Sequence, residues 1–352
     1  MASSRLAVSA LRAIVAVDFG ADVSEEVIAH TRDAWSGALA AQGAEPDRAL
    51  TYATVPDVDL FLEALSGAVT LEALGHERGS ALLLHAGGIA LTDGRVLVFI
   101  GASGRGKTTL SRALGREYGY VSDESIAIGD DLSVYPYRKP LSVVRADLPK
   151  EQVSPRSAGL RDLPPGPLTL AALVLIERDE AVSTPVVEHL HFADAVTALV
   201  AQASYLSDLP GTVITLARLC DRAGGIRRVR YAEAADVASV IDDLLASGPE
   251  QERWEPRSLA IIDADGSAAS ADAVDYDDIM IVLSGRTLRI LEGIAPAVLR
   301  AVADGACDID AIADRVVAQV GPPPDGDPVE QISVVLGELA DAGFAVPRPA
   351  AH

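Results

Sequence analysis

The sequence predicts an α/β protein: a phosphate-loop core with a mixed β-sheet, followed by a small C-terminal α+β module. Three observations carry this expectation. The stretch Val96–Leu114 (VLVFIGASGRGKTTLSRAL) reads as strand, glycine loop and helix. Apolar strand-like runs alternate with helical patterns up to about residue 247. Past a polar, proline-bearing boundary at Ser247–Pro256 (SGPEQERWEP), the order becomes strands first and helices after.

The first observation is the most specific. An apolar run, Val96 to Ile100, stops at Gly101. The loop Gly101, Ala102, Ser103, Gly104, Arg105, Gly106 leads into Lys107, Thr108 and Thr109, after which Leu110, Ala113 and Leu114 have helical spacing. This is G-x-x-x-x-G-K-[ST] in a strand–loop–helix setting. The glycines let backbone N–H groups turn inward around a phosphate, and the helix N-terminus adds partial positive charge. Lys107 is expected to reach the β/γ-phosphates and the Thr108 hydroxyl to hold Mg²⁺, with Gly101 to Thr109 forming the nucleotide contact.

Around this loop the chain is read in order. Residues 1–79 give a strand over Leu11–Phe19 and a helix over Ser24–Leu39, with Ser24 as its cap and acids in its first turn. A second helix covers Asp57–Leu74. Asp18-Phe19-Gly20 matches a kinase DFG in letters only, since no HRD loop accompanies it. Residues 80–247 hold strands at Ser80–His85, Gly88–Leu91 and Val96–Ile100, with an Asp93-Gly94 hairpin turn. After the loop come a helix (Thr108–Tyr118), a short strand at Tyr120-Val121, a hairpin around Asp130-Asp131 and a strand over Leu141–Val144. Arg145–Pro167 is polar and proline-rich with little periodicity, and is expected to be a mobile loop without regular structure. Strands follow at Leu168–Glu177 and Ile226–Tyr231, and helices at Ala193–Tyr205, Leu216–Ala223 and Glu233–Ala246. Residues 257–352 give strands at Leu259–Asp263, Ile279–Leu283 and Thr287–Ile290. Helices then follow at Ala295–Ala303, Asp310–Gln319 and Pro328–Ala342.

Composition narrows the function. The 352 residues are 49% hydrophobic, ample for a buried core, and carry a formal net charge of −22. Residues 253–352 alone hold 17 acidic against 7 basic residues. Nucleic acid is therefore not an expected partner, because phosphate contacts need clustered Lys and Arg. No apolar run is long enough for a membrane span and no signal-peptide pattern opens the chain, so no membrane partner and a cytoplasmic location are expected. The two cysteines, Cys220 and Cys307, lie far apart in apolar surroundings and are read as core residues. His189-x-His191 lacks a third metal ligand, and His30, His76 and His352 lack any partnered spacing.

Two further features stand at telling distances from Lys107. His85 ends a strand 22 residues upstream, and Asp123-Glu124 ends one 16 and 17 residues downstream. In a parallel sheet the C-terminal strand ends gather at the edge where the phosphate loop sits. Carboxylates there hold Mg²⁺ or accept the proton of an attacking hydroxyl, as phosphoryl transfer to an alcohol requires. A nearby histidine orients the carboxylate or contacts the transferred phosphate.

The run from Leu82 to Val144 resembles the catalytic domain of the HPr kinase/phosphorylase family, which shares its nucleotide core with phosphoenolpyruvate carboxykinase. The resemblance spans about Ser80–Tyr231. It implies a PEP carboxykinase-like P-loop core in which Lys107 and Thr108 bind phosphate and Mg²⁺. His85 matches the family's active-site histidine, and Asp123 and Glu124 match its paired acids, which share base and metal duties. The family carries Asp-Asp where this chain has Asp123-Glu124, an acid where it has Thr109, and a glycine-rich signature that has no counterpart here. A divergent forward kinase is therefore expected rather than a phosphorylase. Relatives often form rings, so a homo-oligomer stays open. Residues 257–352 resemble a PqqD-like domain, a winged-helix-like module that recognises leader segments of ribosomally made precursor peptides.

The combined expectation is an ATP- and Mg²⁺-dependent kinase acting on a hydroxyl, with a Ser of such a precursor peptide as acceptor. Arg138 and Lys139 are expected near the phosphates, and Arg156 or Arg161 near the acceptor. The alternatives are a small-molecule (sugar or polyol) kinase of the same fold, and a nucleotide-binding regulatory or scaffold protein with little turnover.

Overall fold

The chain opens with a hairpin of which the sequence pattern gives only the second strand. In the computed structural model, which describes residues 4–145, 148–246, 253–263, 265–276 and 278–347, β1 (Ser4–Ala10) pairs antiparallel with β2 (Ala13–Phe19). Leu11 makes the turn at φ 57°, a left-handed conformation that an apolar run without Gly or Asn does not announce. Helix α1 (Glu25–Ala34) starts where expected. Ser24 Oγ accepts from the Val27 amide at 3.3 Å, and Glu25 and Glu26 sit in the first turn. Strand β3 (Arg48–Tyr52), not foreseen, runs parallel to β2. Helix α2 (Val58–Glu77) is capped by Asp57, whose Oδ1 accepts from the Leu60 amide at 3.0 Å. Its Phe61, Leu62, Leu65 and Val69 follow helical spacing and pack with Val8, Val15, Val17 and Phe19 of β1 and β2.

The next strands are β4 (Leu82–Leu84), β5 (Ala86–Ala90) and β6 (Arg95–Ile100), followed by α3 (Lys107–Leu114) and β7 (Gly119–Ser122). Then come β8 (Ile126–Ile128), β9 (Val134–Tyr135), β10 (Leu141–Arg145), β11 (Leu148–Val153), β12 (Thr169–Arg178) and β13 (Val186–Leu190). Helix α4 (Phe192–Gln202), β14 (Ala203–Ser204), α5 (Thr212–Arg222), β15 (Ile226–Tyr231) and α6 (Ile241–Leu245) follow. The central six-stranded sheet has the order β13-β15-β12-β6-β5-β7. β15, β12 and β6 are parallel, while β5 runs against both β6 and β7. Val96 to Ile100 are fully buried, as a central strand covered on both faces requires. α3 rests on this sheet through Leu110 and Leu114, within one cluster with Phe99, Val174 and Tyr231. Burial of each leucine stabilises the seat by about 1.5–3 kcal/mol.

Two expectations need correction here. Arg145–Pro167 is not without regular structure. β11 pairs antiparallel with β10, the Tyr120 amide donates to Arg161 O at 3.1 Å, and Leu160 packs on Tyr120 and Leu141. Its polar residues Lys150, Glu151 and Gln152 hide the strand because a two-stranded ribbon needs no continuous apolar face. Second, the helix expected over Glu233–Ala246 splits into a 3₁₀ segment (Ala234–Val240) and α6. Ser239 Oγ donates to Asp236 O at 2.7 Å, a local bond that competes with the α-helical ladder.

Two compact units result, Met1–Leu209 with Leu219–Gln251, and Pro210–Arg218 with Glu252–His352. The second holds an antiparallel meander, β16 (Glu255–Ile262), β17 (Ala268–Asp275), β18 (Met280–Ser284) and β19 (Thr287–Leu291). Helices α7 (Ala295–Ala303), α8 (Ile309–Val320) and α9 (Pro328–Asp341) follow, the last two capped by Asp308 and Asp327. β17 was missed because AASADAVD is poor in β-formers and is drawn into the sheet by its two neighbours. The buried Asp275 carboxylate receives Arg300 Nη2 at 2.7 Å and also pairs with Arg257. Cys220 is buried as expected, but Cys307 is exposed at the turn after α7, where its thiol donates to Gly305 O. Part of the Ser247–Pro256 boundary lies outside the described residues.

Candidate functional site

The phosphate loop is shaped by its glycines. Gly104 has φ 78° and Gly106 φ 96°, a region open to glycine at little cost. Gly106 is also the N-cap of α3 and offers no side chain to it, so no side chain covers the first amides of the helix. Lys107 is 5% exposed, and its Nζ donates to Gly101 O at 2.6 Å and Ala102 O at 3.3 Å. The ammonium thus straps the loop, and its burial lowers its pKa from the ordinary lysine value. Thr108 and Thr109 are exposed beside it.

His85 reaches the same edge by a route other than the one expected. It does not end a parallel strand; it stands between β4 and β5, and β5 begins where β6 ends, with Ala86 opposite Ile100. The His85 amide donates to Gln202 O at 2.8 Å and the Ala86 amide to Glu124 O at 3.1 Å. Burial and the Lys107 charge hold the imidazole below its usual pKa, with Glu124 and Asp123 pulling the other way. His85 is therefore neutral at pH 7.

Asp123 and Glu124 follow β7, whose Ser122 lies opposite Gly88. Buried Ser122 Oγ accepts from the Glu124 and Ser125 amides, both at 3.2 Å, and so forms the turn that presents the two acids. Tyr120, fully buried, donates its hydroxyl to Asp123 Oδ1 at 2.8 Å. Burial first, then Asp123, drives this phenol well above its usual pKa, so it stays a donor. Among the described residues Asp123 Oδ2 has no hydrogen-bond partner. Glu124 Oε2 meets Lys139 Nζ at 2.7 Å.

One cleft of about 410 Å³ joins these groups: His85, Lys107, Thr108, Thr109, Asp123 and Glu124 line it, with Ser103, Gly104, Gly106, Lys139 and Ser142. Gly101, Ala102 and Arg105 do not line it. A Cβ at Gly101 would lie 2.9 Å from Ile176, so this glycine serves strand packing, and the Ala102 carbonyl serves Lys107. Lys139 faces the cleft as expected, but Arg138 does not. Arg138 donates to Asp162 at 3.0 Å, and Arg156 joins the same carboxylate at 2.8 Å. Both arginines hold Asp162 below its ordinary pKa. Asp131 caps Ser133 in its hairpin, and Asp18 of the DFG-like triplet pairs with Arg5 at 2.6 Å. Among the described residues no three His, Cys, Asp or Glu side chains gather as a metal cage. Two carboxylates beside threonine hydroxyls suit a hard cation that draws its remaining ligands from phosphate and water.

Sequence reasoning missed Tyr120, Ser122 and Ser142, which donate, cap or line without a motif of their own, and Ser66, whose Oγ accepts from Lys139 Nζ at 3.2 Å. The residues i−3 and i−1 to Asp123 were the available signal, since a strand end places them beside the carboxylate.

No family model matches the chain, and no curated protein matches it. Among solved structures, the HPr(Ser) kinase/phosphatase from Coxiella burnetii aligns with 46% of this chain and 92% of its own length, at 15% identity and a TM-score of 0.26. A likeness of that depth carries no weight for activity, which is read from the cleft.

Proposed function

We propose that this chain is an ATP- and Mg²⁺-dependent kinase that transfers the γ-phosphate to a hydroxyl. One observation carries the reading: an uncovered helix N-terminus, a buried lysine and a carboxylate with a free oxygen face one cleft. The loop amides and Lys107 bind the phosphates, Lys107 exchanging its carbonyl partners for phosphate oxygens. Thr108 and one of the two acids would hold Mg²⁺, which neutralises phosphate charge when bound. Asp123 Oδ2 takes the proton of the acceptor hydroxyl while Tyr120 fixes the carboxylate through Oδ1. Neutral His85 orients the acid or donates to the transferred group.

For the acceptor, we favour a Ser of a ribosomally made peptide whose leader is held by the C-terminal unit. The sequence resemblance of residues 257–352 supports this, as does a meander whose last strand, β19, pairs on one side only among the described residues. Labelled Mg-ATP incubated with precursor-type peptides and with sugars and polyols tests the reading. Label on a peptide Ser supports it, and label on a small hydroxyl moves the acceptor within the same class. Nucleotide binding with no transfer to any hydroxyl sinks the kinase. A second reading, a nucleotide-dependent regulator, rests on Thr109, whose exposed hydroxyl supplies no carboxylate at the loop, and on Glu124 being already engaged by Lys139.

A further inference from the structure

We infer that Lys139 is a second phosphate-binding cation of the cleft, held by the N-terminal α2 helix and directed at the terminal phosphate. The inference rests on the nucleotide reading above. Lys139 is 5% exposed, as deeply placed as Lys107, and lines the same cleft. Its Nζ meets Glu124 Oε2 at 2.7 Å, Ser66 Oγ at 3.2 Å and Pro140 O at 3.4 Å.

Stability does not explain a charge at this position. Burying an ammonium is costly, and its carboxylate partner is 40% exposed, where an ion pair returns little. An apolar side chain would fill the same place at no such penalty. The charge balance of the cleft gives it a use. Lys107 and Lys139 face Asp123 and Glu124, so the cleft is near neutral, and the phosphates of a nucleotide bring an excess of negative charge. Phosphate oxygens then compete with Glu124 for the Lys139 ammonium.

Position assigns which phosphate. Lys107 belongs to the loop, whereas Lys139 pairs with the residue next to Asp123, where acceptor and γ-phosphate meet. One bond from α2 reaches Lys139 itself and a second holds the segment just before it. Ser66 Oγ receives Lys139 Nζ, and the Thr70 hydroxyl shares a hydrogen with the buried Tyr137 hydroxyl at 3.0 Å. Ser66 is accordingly a positioning residue, and the N-terminal region is part of the phosphate site.

The test is equilibrium binding of ADP and of a non-hydrolysable ATP analogue, each with Mg²⁺, to the full chain. Lys139→Met is expected to weaken the ATP analogue about tenfold while ADP changes by less than about twofold, the size of one charge-assisted contact. Unchanged ADP binding also shows that the variant folds. Lys139→Arg should keep most of the ATP preference, and Ser66→Ala should lose part of it. Equal losses for both nucleotides, no loss, or a full loss shared by Lys139→Arg overturns the inference and leaves the kinase reading standing. Failure of the unsubstituted chain to bind either nucleotide overturns both.

Discussion

Tyr120 and Lys139 decide which oxygens of the acidic pair remain available. Tyr120 holds Asp123 Oδ1 and Lys139 holds Glu124 Oε2, which leaves Asp123 Oδ2 and Glu124 Oε1 open; Asp123 is the acid of the two that carries no cation, and its Oδ2 is the acceptor assigned to the hydroxyl proton. Asp123→Asn should lower phosphate transfer by about 10²–10⁴-fold with nucleotide affinity little changed, read by quenched label transfer beside a binding titration. Tyr120→Phe should cost less, because it frees Oδ1 without removing the base. His85 gives a pH signature. Its pKa in the fold lies below the unfolded value of about 6.5, so the unfolded chain binds the extra proton. Stability is unaffected above that value and falls as pH drops from about 6.5 towards the depressed pKa. His85→Gln should remove that part of the slope in urea unfolding at a series of pH values. At this scale the sequence was readable where a motif existed. Lys107, Thr108, His85, Asp123 and Glu124 do share a cleft, whereas Ser122, Tyr120 and Ser66 act through contacts that only the fold creates.

Among the elements, the contact between α3 and β5 sets the cleft's geometry. A Cβ at Gly87 would lie 2.1 Å from Ser111 Oγ, and Ser111 is fully buried. Gly87→Ala should therefore destabilise by about 1–3 kcal/mol and lift α3 from β5, measured by urea unfolding and by weaker nucleotide binding. A double variant with Ser111→Gly should recover part of the loss. Helices with caps and spacing, such as α1, α2, α8 and α9, were legible because Ser24, Asp57, Asp308 and Asp327 satisfy their first amides locally. β3, β11, β13 and β17 were not, because their residues become strands through pairing partners distant in sequence. The antiparallel entry of His85 was hidden for the same reason: periodicity reports a strand and not its direction.

At the level of the whole chain, two units each carry their own apolar cluster. Among the described residues no helix is long and apolar enough to cross a membrane. In the C-terminal unit the Asp275 carboxylate is shared by Arg300 and Arg257. Asp275→Ala leaves two guanidinium groups without their main partner and should cost about 3–5 kcal/mol in denaturant unfolding of that unit. The acidic bias of this unit was plain in the sequence, and so was its order of strands before helices. The most direct measurement is γ-phosphate transfer from Mg-ATP to hydroxyl acceptors by the full chain, run beside Asp123→Asn. The expected result is a labelled phosphoester whose rate of formation falls at least about a hundredfold in the variant, with nucleotide binding retained. Equal rates in the two proteins, or binding with no phosphoester formed on any acceptor, would contradict the account.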